Sequence, residues 1–231
     1  MIGALHRTVP ALLVLLVLAL AGCGGGGDKQ SSDTSSAPAP TRAQTQPATT
    51  AGGCQQVPVP QPRKPEREKK PSAPLTSRKS LTFKTNCGDF TVALDPKTAP
   101  HAGASMVSLA RAKFFDATVF HRIAPGFVIQ GGDPSASGNG GPGYKTVDKP
   151  PSGARYTHGV VAMAKTETEA PGTGGSQFFV VTGADVGLPP DYAVLGKVTK
   201  GLDVVDKIGR LGDQSEQPTE PVVIETVSVS G

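Results

Sequence analysis

The segment FHRIAPGFVIQGGDP, Phe120 to Pro134, sets an arginine and a glutamine among apolar residues that read as a β-hairpin. Pro125-Gly126 supplies the turn chemistry between two short apolar runs. A plain two-residue turn would pair Ala124 with Phe127, set Arg122 opposite Ile129, and point Gln130 to the other face. Arg122 and Gln130 can meet only if the connection carries a bulge or a sharp twist, which Gly126 and Gly131-Gly132 permit.

Working outward, Leu81, Phe83 and Thr85 alternate with polar neighbours, Asn86-Cys87-Gly88-Asp89 turns, and Phe90, Val92 and Leu94 resume the alternation, a second hairpin. A helix is predicted over Ala99 to Lys113, with Ala102, Met106, Leu109 and Ala110 on one face, Thr98 as its cap and Pro100 in its first turn. Further strands are expected at Thr118–Ile123, Phe127–Gln130, Val160–Ala164, Gln177–Val181, Ala193–Val198 and Val222–Val229. A short helix, Leu202–Ile208, should bury Leu202, Val205 and Ile208. So many strands with two helices argue for a mainly β fold, a closed antiparallel barrel, because closure removes exposed edges. A small barrel fills its interior with side chains, so a binding site must lie on the outer wall. In Gln177-Phe178-Phe179 the two rings point to opposite faces, and one must leave the core unless a second layer covers it.

Taken with GSQFF at Gly175–Phe179, the FHR and PGF elements around Arg122 resemble the cyclophilin family of peptidyl-prolyl cis-trans isomerases, over about Leu81 to Gly231. The resemblance implies an eight-stranded barrel capped at each end by a helix, and isomerisation of X-Pro bonds without cofactor or metal. That reaction needs an apolar pocket for the proline ring and a cation for the prolyl nitrogen as the bond twists. By resemblance Arg122 is the catalytic cation, and Phe127, Met163, Phe179 and Leu188 line the pocket. Gln130 contacts the substrate backbone, Gln177 lies on the second wall, and Ala164 and Lys165 offer main-chain bonds. Tyr192 stands where animal members often carry histidine, and Gly187 where tight cyclosporin binders carry tryptophan. His121 reads as a satisfied core histidine, since isomerisation needs no base. Gly138-Asn139-Gly140-Gly141-Pro142-Gly143 matches a dinucleotide fingerprint in letters alone, because no helix is expected to open after it. A non-catalytic module that holds proline-containing segments, a chaperone or assembly partner, would use the same groove.

The N-terminus reads differently. His6 and Arg7 precede an apolar run, Ala11–Ala21, too short to span a bilayer but suited to an export signal. Leu20-Ala21-Gly22-Cys23 is similar to the lipobox of bacterial lipoproteins, which implies a signal peptide over 1–22, lipidation at Cys23, and a protein anchored to the membrane outside the cytoplasm. Residues 23–80 are expected to form an unstructured Gly, Ser, Thr and Pro-rich tether, with 81–231 the folded, monomeric domain. Residues 24–80 carry nine Lys or Arg against four Asp or Glu, while 81–231 carry thirteen against fifteen, so the chain's basic character belongs to the tether. The slightly acidic domain disfavours a nucleic-acid partner. Basic residues in the tether either approach anionic lipid or simply keep it extended. Cys54 and Cys87 either pair, stapling tether to hairpin, or remain two free thiols.

Overall fold

A computed structural model describes residues 48–64 and 67–231 of the chain. In chain order these form β1 (Lys79–Thr85), β2 (Gly88–Leu94), α1 (Pro100–Arg111), β3 (Thr118–Val119), β4 (Arg122–Ala124) and β5 (Val128–Gly131). Then come β6 (Thr146–Val147), β7 (Val160–Met163), β8 (Thr173–Gly174), β9 (Phe178–Val181), β10 (Val194–Lys200), α2 (Leu202–Gly209) and β11 (Val223–Ser230). The signal peptide and Cys23 lie outside the described residues.

The main sheet is antiparallel throughout, ordered β3-β11-β1-β2-β10-β7-β9-β5-β4. Its two edges, β3 and β4, are separated in the chain only by Phe120 and His121. The Phe120 amide donates to Val222 O (3.0 Å) and the His121 amide to Gln130 O (3.1 Å). One run of chain thus serves both edges, and the nine-stranded sheet curls back on itself; with β3 and β4 counted as one interrupted strand, it is the eight-stranded barrel that was expected. The strand read as Thr118–Ile123 is split because it must leave β11 to join β5. The two-residue ribbon β6-β8 was not expected.

Alternation fills the barrel interior from both hairpins. Phe83 and Phe90 stack at 4.8 Å, and Phe178 packs against Phe83, Phe115 and Phe120. Helix α1 closes one end, but not with the expected cap: Thr98 Oγ1 donates to the carbonyls of Asp95 and Val194. The Asp148 carboxylate supplies the cap instead, accepting from the amides of His101 (3.3 Å) and Ala102 (2.6 Å) and from His101 Nδ1 (2.8 Å). A remote anion can do this because the first helical N–H groups lack partners and carry the positive end of the dipole. Helix α2 buries Val205 and Ile208, whereas Leu202 is only partly covered.

The segment read as tether departs from expectation. Among its described residues from Thr49 to the start of β1 there is no helix and one isolated bridge, as its composition dictates, yet it lies against the domain. Cys54 is fully buried and disulfide-bonded to Cys87. The Gln55 amide donates to Asn86 O (2.7 Å), Arg63 Nη2 to Phe114 O (2.6 Å), the Glu68 amide to Pro142 O (3.0 Å) and the Leu75 amide to Pro100 O (2.8 Å). A covalent link and scattered polar bonds order a strap that hydrophobic patterning could not reveal, so the ordered region begins well upstream of residue 81.

The disulfide closes a loop with a sequence separation of 33 residues. On chain-entropy grounds its reduction should lower unfolding free energy by about 3–4 kcal/mol. Urea unfolding with and without reductant measures this, and Cys54→Ser should reproduce the reduced midpoint. Equal midpoints would show that the strap does not stabilise the domain.

Candidate active site

The β4–β5 hairpin turns at Pro125-Gly126 with Phe127 still outside the strands. The Phe127 amide donates to Ala124 O (3.0 Å), and Gly126 sits at φ 69°, the left-handed region that glycine enters without penalty. The extra residue shifts the register from that of a plain two-residue turn: Ala124 pairs with Val128, Ile123 with Ile129, and Arg122 with Gln130. Arg122 and Gln130 therefore stand directly opposite each other on the outer face. Arg122 Nη1 donates to Gln130 Oε1 (3.2 Å), Gln130 Nε2 to Gln177 Oε1 (3.1 Å), and Gln177 Nε2 to the carbonyls of Gly138 (2.8 Å) and Gly140 (3.0 Å). Both polar ends of the Gln130 amide are thus engaged within the chain.

Beside this row lies a hollow of about 170 Å³ lined by Arg122, Phe127, Val128, Gln130, Ala164, Lys165, Phe179, Leu188 and Tyr192. It is smaller than the roughly 300–1,000 Å³ of drug-sized sites, so it suits one compact apolar ring. The hollow rests on a second apolar layer outside the barrel, in which Ala124, Val128, Tyr156, Val160, Ala162, Phe179 and Val181 are buried. Tyr156 anchors it: its hydroxyl donates to Tyr192 O (2.7 Å) and accepts from the Tyr192 amide (2.9 Å). The Tyr192 ring meets Phe179 edge-on at 5.4 Å. Phe178 enters the core and Phe179 leaves it, as the alternation requires.

Of the residues singled out from the sequence, Met163 does not reach the hollow. It is fully buried inside the barrel, because β7 turns Val161 and Met163 inward and Val160 and Ala162 outward. Val128 takes its place in the wall, next in the chain to Phe127. Ala164 lines the hollow, but its amide bonds Gln177 O (2.9 Å) and is not free for a ligand. Lys165 lies with its Nζ 5.4 Å from the Tyr192 ring centroid and donates to the carbonyls of Thr166 and Glu169. Gln177 borders an adjoining groove rather than the hollow itself. His121 is not a satisfied core residue: both ring nitrogens are buried without partners among the described residues. Burial, and then Arg122, lower its pKa from the ordinary value against the opposing pull of Asp133, so the ring is neutral at pH 7.

Arg122 has a partner that no local signal announced. Its Nε donates to Glu216 Oε2 at 2.6 Å, across 94 residues. The side chains of Arg122 and Glu216 remain 33% and 44% exposed, so the pair contributes only about 0–1 kcal/mol to stability and acts mainly on direction. The guanidinium carbon stands 5.8 Å from the Phe127 ring centroid, a cation at the rim of an apolar hollow. A wider cleft of about 560 Å³ near Gly126 carries the His158–Asp206 pair, but no phenylalanine, tyrosine or large aliphatic side chain lines it to receive a proline ring.

The loop that receives Gln177 is organised by buried Asp133. Its carboxylate accepts from the Ser135 amide (2.7 Å) and hydroxyl (2.6 Å), and from the amides of Ser137 (3.1 Å) and Gly140 (3.0 Å). An aspartate two residues before a serine is an Asx-turn signal that could have marked this residue in the sequence. No helix opens after Gly138–Gly143, so the glycine-rich letters lack the loop-to-helix setting of a dinucleotide fingerprint.

A family model described as cyclophilin type peptidyl-prolyl cis-trans isomerase/CLD matches residues 80–229. The chain is 37% identical over 175 residues to a probable peptidyl-prolyl cis-trans isomerase A of Mycobacterium leprae, covering 68% of this chain and 94% of that protein. It is 38% identical over 169 residues to a peptidyl-prolyl cis-trans isomerase B of Streptomyces anulatus, covering 64% and 94%. A crystal structure of a Cryptosporidium parvum cyclophilin type peptidyl-prolyl cis-trans isomerase superposes with a TM-score of 0.62 at 28% identity, covering 67% of this chain and 99% of that one. A second structure of that protein was determined in the presence of the dipeptide Ala-Pro, with a TM-score of 0.61 at 28% identity over 66% and 99%.

Burial pushes the Asp133 carboxyl up, but the bonds from the Ser135 hydroxyl and from the Gly140 and Ser135 amides outweigh it and leave the pKa below the ordinary value. A depressed folded pKa contributes stability above the unfolded value, and that stability is lost as pH falls through the folded one. Asp133→Asn should therefore cost about 1–3 kcal/mol at pH 7, with the gap from wild type closing on acidification. Denaturation midpoints against pH measure it, and a gap independent of pH would refute an ionised carboxylate in this role.

Proposed function

The chain belongs to the cyclophilin-type peptidyl-prolyl cis-trans isomerase family, and we propose that it turns X-Pro bonds by setting the Arg122 guanidinium against the prolyl nitrogen while the ring sits in the adjoining hollow. The imide is planar because its nitrogen lone pair is delocalised, with a barrier of about 18–20 kcal/mol. As the bond twists, the nitrogen becomes pyramidal and regains that lone pair. A permanently charged planar donor then stabilises the twisted form more than either planar one, and only such differential binding accelerates the step. Phe127, Val128, Phe179, Leu188 and Tyr192 hold the ring, and no proton moves between substrate and protein. The observation that carries this reading is the guanidinium 5.8 Å from the Phe127 ring, at the rim of a hollow of one ring's size. The Ala-Pro dipeptide used with the Cryptosporidium parvum relative supports proline-containing segments as substrates.

The same proposal places the protein outside the cytoplasm, lipid-anchored at Cys23, acting as a monomer on exported or envelope proteins at slow X-Pro steps. The Cys54–Cys87 disulfide supports an oxidising compartment. The lipobox-like ending at Cys23 supports the anchor. Mass spectrometry of the membrane fraction should find acylation at Cys23, and Cys23→Ala should release the protein into the soluble fraction; an unmodified N-terminus would refute the anchor.

Arg122→Ala should lower isomerisation of an Ala-Pro test peptide by about 100-fold, as loss of one aimed donor does elsewhere, while peptide binding stays within a few-fold. NMR exchange on the intact protein gives both quantities. Unchanged turnover would overturn the assigned role, and binding without turnover in the wild type would identify a holding module.

A further inference from the structure

The hydrogen-bonded row through Arg122 does not begin at Arg122 but in the loop between α2 and β11. Asp213 shapes that loop: its carboxylate accepts from the amides of Ser215 (2.8 Å) and Gln217 (2.9 Å), and its carbonyl accepts from the Glu216 amide (3.0 Å). The Asp213 amide in turn donates to Gln217 O (2.9 Å), and Gly212 pairs with Pro218. At the tip Glu216 sits at φ 61°, a left-handed conformation that a residue with a Cβ adopts only where its surroundings hold it. Its carbonyl accepts from the Ile123 amide of β4 at 2.9 Å, so its main chain is fixed beside Arg122 independently of its side chain.

We propose that Glu216 is a positioning residue for the isomerisation, its carboxylate fixing the Arg122 guanidinium in its catalytic plane. This rests on the reading of Arg122 as the catalytic cation. A guanidinium is planar, with donors in a rigid fork. Glu216 takes Nε at 2.6 Å and Gln130 takes Nη1 at 3.2 Å, from opposite ends of the fork. Two fixed nitrogens define the plane and its rotation. Nη2 makes no hydrogen bond within the described residues and is left to donate to a ligand. Without Glu216 the side chain keeps one neutral anchor and sweeps a cone of orientations, so fewer encounters with the twisting bond are productive. The pair is partly exposed, which is why its loss registers in turnover rather than in folding.

The test compares wild type, Glu216→Ala, Glu216→Gln and Arg122→Ala, with kcat and KM for an Ala-Pro peptide from NMR exchange and with thermal melts. Loss of a charge-assisted anchor should lower kcat of Glu216→Ala by about tenfold, with KM within about twofold. Glutamine retains an acceptor for Nε and should recover kcat to within about threefold of wild type. The Arg122 Nε–H resonance should shift in the alanine variant and return toward its place in the glutamine variant, a signature that a merely structural role would not produce. A Glu216→Ala kcat equal to or above wild type, a loss confined to KM, or a glutamine variant as slow as alanine would each overturn the proposal. Should wild type turn over and Arg122→Ala not, such a result counts against Glu216 alone. An active Arg122→Ala would instead remove the reading beneath it.

Discussion

The register of the β4–β5 hairpin is the constraint on which the groove depends. A strand has a side-chain period of two, so a turn one residue longer or shorter would carry Arg122 or Gln130 to the opposite face of the barrel wall. Pro125 and Gly126 make a tight turn, Phe127 is held outside both strands, and Arg122 meets Gln130 across the ladder. Phe127 then stands at the lip of the hollow because it belongs to neither strand. The guanidinium, the amide that orients it and the aromatic rim are three consequences of one backbone geometry.

A second condition is that the barrel wall be clothed on both faces. The interior is filled by the phenylalanines of β1, β2 and β9, so residues that alternate outward from β5, β7 and β9 need cover of their own. Tyr156 and the stretch through Leu188 and Tyr192 provide it, and their cover is incomplete at one place. That gap is the hollow. Its walls are fixed by reciprocal bonds between the Tyr156 hydroxyl and the Tyr192 main chain, a satisfied buried pair that resists collapse.

The N-terminal strap bonds to the loops at both ends of the polar row. Glu220, in the loop that carries Glu216, accepts from the Thr50 hydroxyl (2.5 Å) and the Gly52 amide (3.1 Å). Farther along, the amides of Arg63 and Glu68 donate to Pro134 O and Pro142 O, flanking the loop that receives Gln177. The disulfide at Cys54 secures the strap beside the first of these contacts. A segment outside the matched family region thereby braces the two loops between which the groove is built.

Alternation and turn residues in the sequence by themselves determined the eight main strands, the two helices, the barrel, and that Phe178 and Phe179 face opposite ways; resemblance was needed to say that Phe179 is the one that leaves the core. Resemblance then pointed to Arg122, Phe127, Leu188 and Tyr192 around one groove, because those residues sit within or beside recognisable local patterns. Gln130 was legible as a candidate, but its meeting with Arg122 was not, since the turn geometry that decides it differs by a single residue. Met163 was misplaced for the same reason of phase: one step along β7 separates groove from interior. Only the tertiary structure decided that Glu216 holds Arg122, that Asp148 caps α1, that Tyr156 supports the hollow, and that Cys54 reaches Cys87. These are contacts between residues far apart in the chain, made by polar or lone side chains that leave no periodicity, and so they exist only once the barrel has brought its loops together.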